Sequence, residues 1–340
     1  MIGADPASTT QAPWEFAAPW GARGHVTQLD GPVHWIEFNP DQNPDQHSGQ
    51  HSGQHSGQDS SREGNQGPPI VFVHGLGGSH LNWCLIGPRL AAGRRAVALD
   101  LHGFGLTPGT RGNASVQGNR RLLDRFLREI TGTPVILAGN SMGGLISLLQ
   151  TAAAPDTVAG LVLIDPALPL PPRQRPDWPV VGQFLLQALP GVGELYVRKV
   201  LLGTPPQLAV QRLIELCFAD PSRADPAMVT ASIALARQRE TMPDREESFL
   251  AATRSLLRVT VRRRRYQEMM AAVRVPVLLV GGDADRLVPV AAVRQAGARN
   301  PRWDTVVLAG VGHTPQLEVP DLVVGTVRDW LDRHFTVTAR

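Results

Sequence analysis

The chain has 340 residues, enough for one large domain or two small ones. With 42% hydrophobic and 19% charged residues it can bury a sizeable core, which excludes a wholly disordered chain. A formal charge of only +3 argues against a dedicated nucleic-acid surface, and no run of about 18 apolar residues is present to cross a membrane.

Residues 1–22 are rich in Ala, Pro and small polar residues and read as a loose arm. Their opening, MIGADPASTTQAPWEF, lacks the basic and apolar regions of a signal peptide, so the expected location is cytoplasmic. Gly24–Leu29 and Val33–Phe38 are strand-like runs joined by Asp30-Gly31, a hairpin turn signal. From 39 to 67 the chain is Asp, Asn, Gln, Ser and Gly, with HSGQ repeated three times between His47 and Gln58. Such a stretch cannot offset its own ordering entropy and is expected to be a disordered loop. His47, His51 and His55 recur every four residues, a spacing open to a transition metal. The flexible glycines and the lack of acidic or Cys neighbours favour a plain linker repeat.

The centre of the chain alternates strand and helix. Pro69–Val73, Arg95–Leu99, Pro134–Ala138 and Leu161–Ile164 read as strands, with helices over Arg120–Ile130 and Gly143–Ala154. The pattern returns near the C-terminus, with strands at Pro276–Val280 and Thr305–Leu308 and a helix over Asp321–Phe335. Continuous apolar strands separated by helices predict an α/β fold, a mostly parallel β-sheet flanked by helices. Between Ala167 and Arg274 the alternation stops and amphipathic helical patterns take over. The expected organisation is a core of 23–166 and 276–340 with an inserted helical cap at 167–275. Arg262–Arg265, near the end of that insertion, reads as a solvated helix face. Cys84 and Cys217 read as two buried small hydrophobes, since two cysteines make no disulfide framework.

The strand PVILA runs into Gly139-Asn140-Ser141-Met142-Gly143, which matches G-x-S-x-G, with a helix following. The glycines suit a sharp strand-to-helix turn that leaves the serine at a strained tip. A serine hydroxyl is a poor nucleophile near neutral pH and needs a general base. His313 follows a strand, has glycines on its approach, and comes after the serine, as the order serine, acid, histidine requires. His334, in the last helix, reads as a surface residue. PVLLVGGDADRLVP supplies two candidate acids between them, Asp283 and Asp285, and Asp165 at its own strand end is a third.

The segments VHGLGG, DLHGFGLT, GNSMGG, GGDADRLVP and GVGHTPQLEVP, in this order, resemble the α/β-hydrolase family over roughly 69–166 and 276–335. The resemblance implies a Ser141–His313–Asp285 triad, because Gly282, Asp285 and Pro289 fit the family's spacing around the acid and Asp283 does not. It implies an oxyanion hole from the backbone N–H groups of Leu76 and Met142, with Gly75, Gly77 and Gly78 permitting close approach. His74 and Asp100 are expected to be structural. No phosphate loop and no H-E-x-x-H pair is present, so neither metal nor organic cofactor is required.

The expected reaction is two-step cleavage of a small, apolar carboxylic ester. Leu168, Leu170, Val180, Phe184, Leu185 and Leu189 either wall an acyl pocket or simply pack the cap. Hydrolysis of carbon–carbon bonds in ring-cleavage products is an alternative, because GNSMGG resembles that group. Those relatives usually carry Trp after the histidine, where Thr314 stands here. A cofactor-free perhydrolase is another alternative, and a non-catalytic binding protein on the same fold is the reading from a different class. Dehalogenase and epoxide-hydrolase relatives use Asp where Ser141 stands, which argues against both.

Overall fold

A computed structural model describes residues 9–12, 15–39, 67–172, 174 and 177–335. The HSGQ repeat, with His47, His51 and His55, lies outside the described residues.

Among the described residues nine strands form one sheet: β1 (Thr9–Gln11), β2 (Ala22–Gln28), β3 (Pro32–Phe38), β4 (Ile70–Val73), β5 (Ala96–Leu99), β6 (Val135–Asn140), β7 (Val158–Ile164), β8 (Val277–Gly282) and β9 (Asp304–Leu308). Their order is β1-β2-β3-β5-β4-β6-β7-β8-β9. The first three strands and the β3–β5 pair are antiparallel; from β5 to β9 every pairing is parallel. Asp30 and Gly31, both at positive φ, turn the chain from β2 into β3 as the Asp-Gly signal predicts.

The inner parallel strands β4, β5 and β7 are apolar along their length because both sheet faces are covered, whereas the edge strand β9 opens with Asp304 and Thr305. Side chains alternate across the parallel strands. Val71, Val97, Leu137, Leu163 and Leu279 belong to one core cluster, whereas Phe72, Ala98, Ile136, Val162 and Val280 belong to the other. The first cluster packs beneath helices α2 (Val116–Phe126) and α3 (Met142–Ala153); the second is closed by α1 (Gly87–Leu90) and α12 (Pro320–Phe335).

The connection between β7 and β8 is helical: α4 (Trp178–Ala188), α5 (Val192–Tyr196), α6 (Pro206–Cys217), α7 (Pro226–Arg239), α8 (Arg245–Thr260) and α9 (Arg263–Ala272). Helices α10 (Val290–Arg299) and α11 (Pro315–Glu318) complete the chain's second part. Within the stretch expected to be a loose arm, Thr9–Gln11 adds an edge strand to β2, with Thr9 Oγ1 and Thr27 Oγ1 2.8 Å apart. A backbone ladder needs no apolar side chains, so composition does not reveal it. Helix α10 also escapes the apolar pattern, because it buries the small residues Ala292 and Ala296 beside Val293.

Candidate active site

Parallel strands place their carboxyl ends along one edge, and three of those ends carry the expected site residues. Ser141 lies between β6 and α3, at φ 54° and ψ −119°. This conformation costs a non-glycine residue of order 1–3 kcal/mol and persists only where the surroundings enforce it. The surroundings are tight. A Cβ on Gly143 would lie 2.1 Å from the Val73 carbonyl oxygen, and one on Gly139 would lie 2.6 Å from the Gly143 oxygen. Only glycine permits β4 to approach the first turn of α3 that closely.

His313 follows β9 and is buried, as is Asp285 after β8. His313 Nδ1 and Asp285 Oδ2 are 2.7 Å apart. The other carboxylate oxygen, Oδ1, accepts the Leu287 and Val288 N–H groups at 2.7 and 3.0 Å, which fixes the side chain. Asp283, by contrast, is exposed and accepts the Gly310 N–H. The structure thus pairs Asp285, rather than Asp283, with His313. The elbow and the histidine loop are tied through Asn140, whose Nδ2 donates to the Ile164 and His313 carbonyls, each at 3.0 Å. Among the described residues no hydrogen bond joins the Ser141 hydroxyl to the imidazole. Such bonds often tighten only when substrate is bound.

Asp165 is fully buried at the end of β7, at φ 40°. Both its oxygens accept the Gly282 N–H at 3.1 Å, and its carboxyl lies within the field of Asp285. Burial first, and then the charge of Asp285, push Asp165 well above the ordinary carboxylate range. That shift favours the neutral form of Asp165 beside Asp285.

The loop after β4 faces the elbow. A Cβ on Gly75 would lie 3.1 Å from Ser141 Cβ. Met142 opens α3, where an N–H has no partner within the helix. Among the described residues, neither the Met142 nor the Leu76 N–H donates to a backbone carbonyl. His74 donates from Nδ1 to the Gly75 oxygen at 2.8 Å and accepts the Leu101 N–H on Nε2 at 3.0 Å. Burial pushes this imidazole down to about 4, so it is neutral and braces the loop.

Sequence reasoning did not single out Glu318. Its buried carboxylate accepts the N–H groups of Gly312 (2.7 Å), Ala219 (3.2 Å) and Asp220 (3.1 Å) and pairs with Arg223 Nη1 at 3.0 Å. One side chain thus clamps the residue before His313 to the segment following α6. The same segment touches the histidine directly, since the His313 N–H donates to the Cys217 carbonyl at 2.6 Å. The available signal was an acid in the apolar HTPQLEVP run, where a solvated charge has no place. Arg239 of α7 makes a second latch, donating to the carbonyls of Gly103 and Gly105.

His34, His80 and Asp100 offer ligand atoms within 4.8 Å of one another. Both imidazole Nδ1 atoms lie 2.8 Å from Asp100 Oδ2, and the carboxylate also accepts the His80 and Leu106 N–H groups. This is a hydrogen-bonded hub holding the turn after β5, the structural place expected for Asp100. Arg262–Arg265 are all exposed, Cys84 and Cys217 are free and buried, and His334 pairs with Asp304 away from the site. Of the proposed acyl-wall residues, Leu168 and Val180 are buried, but Leu185 and Leu189 are 56% and 51% exposed.

Comparison with known proteins agrees with this architecture. The chain is 29% identical over 278 residues to the dihydrolipoyllysine-residue acetyltransferase component of an acetoin-cleaving system from Pseudomonas putida, covering 80% of this chain and 65% of that one. It is 28% identical over 257 residues to a pimeloyl-[acyl-carrier protein] methyl ester esterase from Aromatoleum aromaticum, covering 75% and 94%. The chain thus spans less than two thirds of the first relative. A crystal structure of a putative lipase from Acinetobacter baumannii shares the fold, with a TM-score of 0.70 at 18% identity over 94% of both chains. The model of the alpha/beta hydrolase family matches residues 70–326, and the chain belongs to that family.

Proposed function

We propose that the protein is a serine hydrolase that cleaves carboxylic esters through an acyl-enzyme on Ser141. The observation that carries the reading is the 2.7 Å contact between His313 Nδ1 and Asp285 Oδ2, on a loop tied by Asn140 to the strained serine. Asp285 holds the tautomer with the proton on Nδ1, which leaves Nε2 as the basic lone pair. Nε2 takes the Ser141 proton as Oγ attacks the ester carbonyl carbon. The carbonyl oxygen gains the negative charge and is received by the Leu76 and Met142 N–H groups, both without backbone acceptors among the described residues. The protonated imidazole then gives its proton to the departing alkoxide, and the acyl group stays on Ser141. Water, deprotonated by Nε2, attacks the acyl-enzyme and releases the acid.

The esterase name of the Aromatoleum aromaticum relative, which this chain nearly spans, supports an ester as substrate. A panel of p-nitrophenyl esters of graded acyl length, run beside a ring-cleavage product, tests the reading. Ester turnover that Ser141→Ala abolishes is the expected result. Turnover of the carbon–carbon substrate with no ester turnover would overturn the choice of ester.

A further inference from the structure

Eleven large apolar side chains are exposed among the described residues, and seven of them fall between Trp178 and Val200, on α4, α5 and the turn that extends α5. Trp178 is 69% exposed, Leu195 59%, Leu185 56% and Leu189 51%. Clustering of this kind on a water-facing surface marks a place where something else excludes water. The segment is held rather than loose: α4 and α5 pack on α8, and Arg254 of α8 bonds both Glu194 and the Leu189 carbonyl.

Three observations identify what covers it. First, Trp178–Ala188 and Val192–Leu201 together are as apolar as a membrane-spanning segment, but they bend by 115° at the break between them. Runs of 11 and 10 residues are about 16 and 15 Å long, half of the ~30 Å hydrocarbon core, so neither crosses. A bent pair of this length suits the plane of a membrane interface. Second, from Trp178 to Gly193 no residue is charged. Such a surface has little with which to select a protein partner, whereas acyl chains demand no polar match. Third, the charge left over at its end is positive. Glu194 is paired with Arg254 and Arg198 with Glu246, while Lys199, the chain's single lysine, has no ion pair among the described residues. A lysine stem can lie along apolar surface while its ammonium reaches an anionic headgroup.

We infer that the exposed face of α4 and α5 docks on an anionic lipid bilayer, with its leucines and Trp178 at the headgroup–acyl boundary and Lys199 among the headgroups. The docking segment begins beside the candidate site. Asp177, which caps α4, is joined to Arg286, the neighbour of Asp285, at 3.2 Å. The inference does not depend on the reaction at Ser141.

Co-sedimentation of the full chain with sucrose-loaded vesicles tests it. The vesicles are pure phosphatidylcholine in one arm and a 7:3 mixture of phosphatidylcholine and phosphatidylglycerol, by moles, in the other. The wild type is expected to pellet with the mixed vesicles at least tenfold more tightly than with the neutral ones. A Leu185→Ser, Leu189→Ser, Leu195→Ser triple variant should lose at least tenfold, and Lys199→Gln about fivefold. Leu322→Ser, at an equally exposed leucine of α12, should bind like the wild type; thermal melts check that each variant folds. Wild type that stays in the supernatant with both vesicles, or a triple variant that pellets like wild type, overturns the inference. So does light scattering that shows a wild-type dimer which the triple variant converts to monomer, because a second copy would then cover the face.

Discussion

Replacing Glu318 with Ala removes an acceptor from three backbone N–H groups, those of Gly312, Ala219 and Asp220, and from the Arg223 guanidinium. A buried donor left without a partner costs about 1–3 kcal/mol. Three such donors, partly recovered by entering water, give a destabilisation of about 3–5 kcal/mol, a large share of the 5–15 kcal/mol that holds a typical domain together. Gly312 immediately precedes His313, so the imidazole should shift relative to Ser141. Misplacement near 1 Å can cost about a hundredfold in rate. Urea unfolding and p-nitrophenyl ester turnover, measured on the same preparation, read the two effects. The variant is expected to unfold at lower urea and, where still folded, to turn over substrate 10–100 times more slowly, about the range set by that displacement. A destabilisation below about 1 kcal/mol with unchanged kcat would refute the clamp.

Asp165→Asn should keep most of the activity, because an amide can accept from Gly282 and is neutral, the form that burial favours for Asp165; a loss above tenfold would contradict this. Since the folded value of Asp165 is raised, its unfolded form ionises first, and wild-type stability falls as pH rises above about 4. The stability of the Asn variant relative to wild type should therefore grow from pH 4 to 7, as thermal melts would record. His74 has the opposite sign. With a folded value of about 4 against 6.5, it contributes stability that is present above pH 6.5 and lost as pH falls through 4, about 3 kcal/mol in all. A folded His74→Gln variant should show a flatter acid limb in urea titrations; an identical limb would remove His74 as its source. Gly143→Ala should fail to accumulate as folded protein, because its Cβ would meet the Val73 and His74 carbonyl oxygens at 2.1 and 2.5 Å; a wild-type melting temperature would contradict that clash.

The strands were legible because strands buried on both faces must be apolar throughout, and the elbow because glycines at 139 and 143 have a steric reason to be there. Chain order left Asp283, Asp285 and Asp165 open as partners of His313, and the resemblance to the α/β-hydrolase family implied Asp285. What escaped notice depends on partners distant in sequence. Glu318 meets residues 219–223, and Asp165 meets Asp285 only once β7 and β8 pair. β1 stayed hidden because its bonds are backbone bonds, and the exposure of Leu185 and Leu189 because an apolar helix reads alike whether it faces a core or water.

The most direct test of Ser141 as nucleophile is covalent labelling. Intact-mass spectra taken after treatment with a fluorophosphonate should show one adduct on the wild type, located at Ser141 by peptide mapping, and none on Ser141→Ala. Labelling of His313→Ala should be slower by orders of magnitude. Equal labelling of wild type and Ser141→Ala, or an adduct mapped elsewhere, would contradict the account.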